Sequence, residues 1–246
     1  MQQTINFAHR GASAYCPENT MSAFCHAIEL GATGIETDVQ RTKDGRLVLI
    51  HDESLERTTG DSRLVKDVEY QELVRLDAGS WFSSSFAEER VPLLEDLLKL
   101  AKDTELIINL ELKNGVVPYE GIEAEVIALV QSYEMGDRII ISSFNHYSLV
   151  LCKQIAPQIK TGVLYMEGLY QPWEYAKSIQ ADALHAYKFA ILPQWVQEAA
   201  ENGIVYHPFT VNEEIELEQL IGFGVSGIIT DYPDRLNHIL KRSERS

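Results

Sequence analysis

Four places in this 246-residue chain put chemistry-bearing side chains where an apolar run ends: His9-Arg10-Gly11, Glu36 with Asp38, His51-Asp52, and Glu111 with Lys113. Glu36 and Asp38 are two residues apart on an extended segment, so their side chains share a face, as do those of Glu111 and Lys113. Three carboxylates converging at one mouth raise one another's pKa unless a cation neutralises them. An all-oxygen set of Glu36, Asp38 and Glu111 suits a hard divalent ion, Mg²⁺ or Ca²⁺, and not a thiolate-type zinc site. Arg10 beside Gly11 offers a bidentate donor next to a backbone free to turn tightly, which suits a phosphate. Lys113 offers a second cation, with a salt bridge to Glu111 or Glu36 as its simpler use. His9 and His51 are then candidates for an acid–base pair around that phosphate.

The elements that must position these groups alternate short apolar runs with longer amphipathic patterns, the sign of βα units. Strands are expected at 5–9, 34–39, 46–51, 106–112, 139–143, 160–164, 182–185, 205–210 and 227–230, with helices over 20–30, 122–133, 146–155, 193–202 and 213–223. The helix over 20–30 takes Asn19 or Thr20 as its N-cap and Gly31 at its end. Nine strands are one too many for a (β/α)₈ barrel. Between Val39 and Arg46, however, there is no room for a crossover helix, and Asp44-Gly45 is a favoured two-residue hairpin turn. Pairing Lys43 with Arg46 sets Asp38 opposite His51, where Cβ atoms lie about 4.5–5.5 Å apart. Eight parallel strands remain, and a TIM barrel closes them, with functional groups at the C-terminal strand ends. Residues 52–90 break the rhythm. They are polar, with Leu64, Val65, Val68, Leu73 and Leu76 for local packing, and read as an insertion on the top face of a single domain spanning 1–246.

Composition narrows the partners. Hydrophobic residues at 45% and charged ones at 24% describe an ordinary globular chain. A net charge of −16 argues against nucleic acid and anionic membrane surfaces. It also means that an anionic substrate needs a local cation. Cys16, Cys25 and Cys152 have no metal-type spacing, and an odd number cannot pair completely. With no leader-like start and no apolar run of about 20 residues, a soluble protein of a reducing cytoplasm is expected, with self-association left open. His26 and His238 fall on solvated helix faces and His146 at a helix start, while His185 and His207 lie on later strands. Cys16 has no base partner to make it a nucleophile.

Together these segments resemble the glycerophosphodiester phosphodiesterase family. The matching pieces are His9-Arg10-Gly11, Pro17-Glu18-Asn19-Thr20, Gly34-Ile35-Glu36-Thr37-Asp38-Val39, Asp44-Gly45, His51-Asp52, Asn109-Leu110-Glu111-Leu112-Lys113, Ser143-Phe144, Thr210-Val211-Asn212 and Thr230-Asp231-Tyr232-Pro233. The resemblance implies an α/β TIM (β/α)₈ barrel of the phospholipase C-like phosphodiesterase type, with a small insertion after the second hairpin. It implies Mg²⁺ or Ca²⁺ held by Glu36, Asp38 and Glu111, catalysis by His9 and His51, and Arg10, Lys113 and Glu18 on the substrate side. The implied reaction is hydrolysis of a glycerophosphodiester to sn-glycerol 3-phosphate and an alcohol. A lysophospholipase D-like activity is the rival enzyme reading, with Trp81, Phe82 and Phe86 as the residues for an acyl groove. A non-catalytic barrel that binds glycerophosphodiesters is the rival outside enzymes. Phe209 departs from the family's usual tryptophan before Thr-Val-Asn, which removes an indole N–H there.

Overall fold

In the computed structural model, which describes residues 4–243, eight of the nine strands run parallel. They are β1 (Ile5–His9), β2 (Gly34–Arg41), β4 (Ile107–Leu112), β5 (Ile139–Ser143), β6 (Lys160–Tyr165), β7 (Ala183–Ala186), β8 (Val205–Tyr206) and β9 (Gly227–Thr230), with β3 (Leu47–Leu49) antiparallel on β2. The hydrogen-bonded order is β8-β7-β6-β5-β4-β2-β1-β9. Ser226 N–H donates to the Tyr206 carbonyl at 3.1 Å and Ile229 N–H to that of Pro208 at 2.9 Å, which joins the ends into a (β/α)₈ barrel. The last segment before closure is regular only over Val205–Tyr206, not to 210, because Pro208 has no N–H for the ladder.

The hairpin corrects the sequence reading by one residue. Its loop has three residues, Lys43-Asp44-Gly45, closed by Thr42 N–H to the Arg46 carbonyl at 2.9 Å, with Gly45 at φ 82°. A turn ending on a left-handed glycine is the three-residue hairpin, not the two-residue one. Val39 therefore pairs with Leu49, and Ile50 N–H donates to the Asp38 carbonyl at 3.0 Å. Asp38 stands opposite Ile50, not His51. His51 lies just past β3, its backbone pinned by Gln40, whose side-chain amide donates to the carbonyls of Ile50, His51 and Asp52.

The ring of helices is α1 (Met21–Glu29), α4 (Leu94–Ala101), α5 (Ile122–Ser132), α6 (His146–Ile155), α7 (Pro172–Ser178), α8 (Pro193–Glu201), α9 (Glu214–Phe223) and α10 (Pro233–Ser243). Thr20 caps α1 by accepting from Ala23 N–H, which leaves the Asn19 side chain for a contact at the barrel mouth. Helix α10 runs through Ser243, and residues 244–246 lie outside the described region. Two apolar clusters seal the helices onto the barrel. A third, of Phe7, Ile140 and Ile229 with Ile5, Ile107 and Phe209 against it, fills the barrel below its mouth. No helix among the described residues is long and apolar enough to cross a membrane.

Residues 52–90 carry two short helices, α2 (Glu56–Thr59) and α3 (Tyr70–Leu73). They pack Leu55, Val65, Val68, Leu73 and Ala78 onto Val48 and Ile50 of the hairpin and onto Val91, with Leu76 partly buried beside them. Burial of these side chains at about 1.5–3 kcal/mol each explains how so polar a segment holds one conformation.

Candidate active site

Neighbouring strands deliver the acidic trio. His9 of β1 is in register with Glu36 of β2, and Asp38 of β2 with Glu111 of β4. Ligand oxygens of Glu36, Asp38 and Glu111 lie within 4.8 Å of one another. Glu36 and Asp38 are buried, and the Glu111 side chain is only 13% exposed. Arg10 N–H donates to Glu36 at 3.1 Å, because Arg10 and Gly11 both take left-handed backbone (φ 54° and 82°) that turns this amide inward. A Cβ on Gly11 would sit 2.7 Å from the backbone of Ala23, so only glycine fits there. Asp38 accepts from the Asn19 amide at 2.9 Å and faces Arg10 Nε at 3.4 Å and Lys113 Nζ at 3.9 Å. Lys113 donates to Glu111 at 3.0 Å, the simpler of the two uses expected for it.

Charge is unevenly distributed over the trio. Burial, reinforced by Asp38 and Glu111, holds the Glu36 carboxyl well above the ordinary range. Burial and the Asp38 charge push Glu111 up to about 7, against the pull of Lys113. Burial acts on Asp38 as well, but Arg10, His51 and Lys113 outweigh it and keep that carboxyl low. Three hard oxygen donors, two of them unwilling to ionise with only Arg10 and Lys113 opposite, form a donor set that a hard divalent cation fits.

Each of the two histidines is held by a carboxylate. His9 Nδ1 lies 2.6 Å from Asp231 Oδ1, and its Nε2 lies 4.0 Å from Glu36 Oε2. Asp231 also accepts from Ser13 Oγ at 2.9 Å and from the Asn212 amide at 2.6 Å. Burial raises its pKa, but His9, Asn212 and Ser13 override that and hold it at about 2. His51 Nδ1 lies 2.7 Å from Asp52 Oδ1, and its Nε2 lies 3.2 Å from Lys113 Nζ. Burial keeps the His51 ring below its ordinary pKa, with Arg10 and Lys113 adding to the effect and Asp38 and Asp52 opposing it. A ring that donates from Nδ1 leaves Nε2 as its second nitrogen, free for another partner.

Glu18 accepts from Arg10 at 2.9 Å and from both terminal nitrogens of Arg57 at 2.9 and 2.7 Å. These guanidinium groups hold its carboxyl low despite burial. Thus all eight residues singled out from sequence meet at one mouth: His9, Arg10, Glu18, Glu36, Asp38, His51, Glu111 and Lys113. Sequence reasoning gave no site role to Asp231, Asp52, Arg57 or Asn212, and took Asn19 only as a possible N-cap. Asp231 follows β9 directly, so the strand-end rule that selected His9 and Glu111 also finds it. No local signal marks Arg57.

The remaining candidates lie elsewhere. His185 and His207 are buried inside the barrel, 3.1 Å apart through Nε2 and Nδ1. His146 opens α6 and bonds Tyr175 and the Leu164 carbonyl. His26 pairs with Glu29, and His238 is exposed. The three cysteines are free thiols. Trp81 packs its ring 5.7 Å from the Arg57 guanidinium and meets Phe82, which meets Phe86, so this aromatic row braces the insertion.

Residues 9–235 match the model of the Glycerophosphoryl diester phosphodiesterase family. A glycerophosphodiester phosphodiesterase of Caldanaerobacter subterraneus subsp. tengcongensis is 46% identical over 240 residues, covering 98% of this chain and 99% of that one. One of Bacillus altitudinis is 45% identical over 232 residues, covering 93% and 95%. The solved structure of an Oleispira antarctica phosphodiesterase in complex with the product sn-glycerol-3-phosphate superposes with a TM-score of 0.89 at 29% identity, covering 97% of each chain. The glycerophosphodiester phosphodiesterase of Agrobacterium tumefaciens superposes at 0.83 with 27% identity, covering 96% and 99%. With the match running from His9 past Asp231, the chain belongs to the glycerophosphoryl diester phosphodiesterase family.

Proposed function

We propose that this protein hydrolyses glycerophosphodiesters to sn-glycerol 3-phosphate and an alcohol, with His9 and His51 as its acid–base pair and Mg²⁺ or Ca²⁺ held by Glu36, Asp38 and Glu111. The observation that carries this reading is the matched pair of carboxylate-held imidazoles, His9 on Asp231 and His51 on Asp52, on either side of the acidic trio. The bound cation would offset charge on the nonbridging phosphate oxygens as it gathers in the transition state. Arg10 and Lys113 bind the same phosphate and position phosphorus between the two rings. His9 Nε2 takes the proton of the attacking hydroxyl as its oxygen bonds to phosphorus. The P–O bond to the alcohol breaks as His51 Nε2 gives its proton to that oxygen. The attacking group is water, or the glycerol 2-hydroxyl through a cyclic phosphate that water opens; an analogue without that hydroxyl is hydrolysed only if water attacks directly.

The whole chain forms one catalytic domain in this reading, with 52–90 as its inserted subdomain. The free thiols suit a reducing compartment, and we place the protein in the cytoplasm. The test is release of glycerol 3-phosphate from glycerophosphocholine after chelation and with each metal restored. His9→Ala and His51→Ala each lower kcat by about 10² or more while the fold is kept. Near-normal turnover in either variant, or full activity in chelator, overturns the proposal.

A further inference from the structure

One side chain of the insertion reaches the mouth. Arg57, in α2, donates through Nε to Asp52 Oδ2 at 2.6 Å, while its two terminal nitrogens fork onto Glu18 at 2.9 and 2.7 Å. Among the described residues the Asp52 side chain accepts only from His51 and Arg57. Four groups thus form one chain across two parts of the fold: His51, Asp52, Arg57 and Glu18. The fork onto Glu18 is planar and bidentate, so it fixes the orientation of the guanidinium and with it the direction of Nε. The Trp81 ring, 5.7 Å away and itself anchored by its indole N–H to the Ala78 carbonyl at 2.9 Å, covers the guanidinium from the insertion side.

We infer that Arg57 is a positioning residue for His51, acting through Asp52 to hold the ring in the orientation that presents its Nε2–H to the leaving oxygen. The inference rests on His51 being the acid of the proposed reaction. It makes the insertion part of the catalytic apparatus, since the barrel supplies His51 and Asp52 and the folded insertion locks them. Without Arg57, Asp52 keeps one partner and is free to swing off Nδ1, and the ring then turns. Arg10 and Lys113 reach phosphate from β1 and β4, so substrate binding survives while proton delivery suffers.

The test compares two glycerophosphodiesters in the metal-supplied full chain, one releasing choline and one releasing p-nitrophenol, which departs without needing a proton. Arg57→Ala should lower kcat on the choline ester by about 10-fold or more with KM nearly unchanged, and that loss should shrink to within about threefold on the p-nitrophenyl ester. His51→Ala should show the same dependence on leaving group, more strongly. Added guanidinium ion should restore part of the Arg57→Ala loss on the choline ester only. If Arg57→Ala does not fold, Arg57→Lys carries the same comparison, since it keeps the charge and loses the fork. Unchanged kcat on the choline ester, or an equal loss on both esters while His51→Ala still discriminates, overturns the role of Arg57 alone. Equal losses on both esters in His51→Ala overturn the assignment of His51 as the acid, and this inference with it.

Discussion

Glu111 makes the protein's stability depend on cation and pH together. Burial and Asp38 move its pKa from an ordinary 4.5 up to about 7. A carboxyl raised on folding keeps a proton that the unfolded chain has already released. Folding is therefore penalised as pH rises from 4.5, at about 1.4 kcal/mol per pH unit, and the penalty levels off above about 7. Over that window it reaches about 3 kcal/mol in the cation-free protein. Glu36, raised for the same reason, adds in the same direction. A divalent cation removes the penalty by displacing the protons, so its stabilising effect should be small near pH 5 and large at pH 8. The buried pair His185 and His207 pulls the other way, since both rings resist protonation and lose stability as pH falls. That contribution is the same with and without cation and cancels in the difference. The assay is thermal or urea unfolding at a series of pH values from 5 to 8, in chelator and in Mg²⁺ or Ca²⁺. Glu111→Gln should be more stable than the parent in chelator at pH 8, by up to about 3 kcal/mol, and should converge with it near pH 5. A cation effect that is absent, or equal at both ends of the range, refutes this account of the trio.

Asp231→Asn places an amide where His9 Nδ1 needs an acceptor, so the ring can flip its tautomer. We expect kcat to fall by about 10² or more with KM little changed, measured as glycerol 3-phosphate release. Leu73→Ala empties a fully buried position in the core of the insertion. It should cost about 2–5 kcal/mol in urea unfolding, and a cost under about 1 kcal/mol means that this cluster does not hold the segment. Gly11→Ala forces a Cβ against the Ala23 backbone at a left-handed position, displacing Arg10 N–H from Glu36. Weaker metal-dependent activity with a lowered melting temperature is expected, and parent-like values in both argue against the close approach.

Much of the barrel is legible because its information is local. Apolar runs of five or six residues and the missing crossover before Arg46 are enough to count strands and single out the hairpin. The carboxylates of the trio follow from alternation along β2 and β4, which needs no tertiary knowledge. The finer points are not local. Asp-Gly fits both a two-residue turn and the end of a three-residue one, and the choice is made by Thr42, whose hydroxyl takes up the Arg46 N–H at 2.9 Å and so closes the longer loop. Pro208 shortens β8, although the residue pattern extends to Thr210. The partners of the histidines are legible to different degrees. Asp52 is adjacent to His51 in the chain, whereas Asp231 lies 222 residues from His9 and meets it only because β9 closes against β1. Arg57 is invisible for a related reason, since a polar insertion has no periodicity from which to place a side chain.

The electrostatic problem of an acidic chain with an anionic substrate is resolved within a few residues. At its centre, Glu36, Asp38 and Glu111 face Arg10 and Lys113, so fully ionised they leave one net negative charge. A phosphodiester would meet repulsion there. Adding a divalent cation turns the balance to one net positive charge, which matches the single negative charge of the substrate. Protonating Glu111 alone only brings the centre to neutrality, but Glu36 is raised as well, and with both protonated the centre also carries one net positive charge. Arg57 adds no attraction of its own, because it lies between Glu18 and Asp52 and directs its charge at them and away from the phosphate. Affinity for glycerol 3-phosphate should therefore follow cation occupancy at pH 8 and depend on it less at pH 5. Calorimetric binding of that product should be lost in chelator at pH 8 and return in part at pH 5, where Glu36 and Glu111 are both protonated. Binding that persists in chelator at pH 8 would mean that Arg10 and Lys113 suffice, and that the cation serves only to hold the trio together.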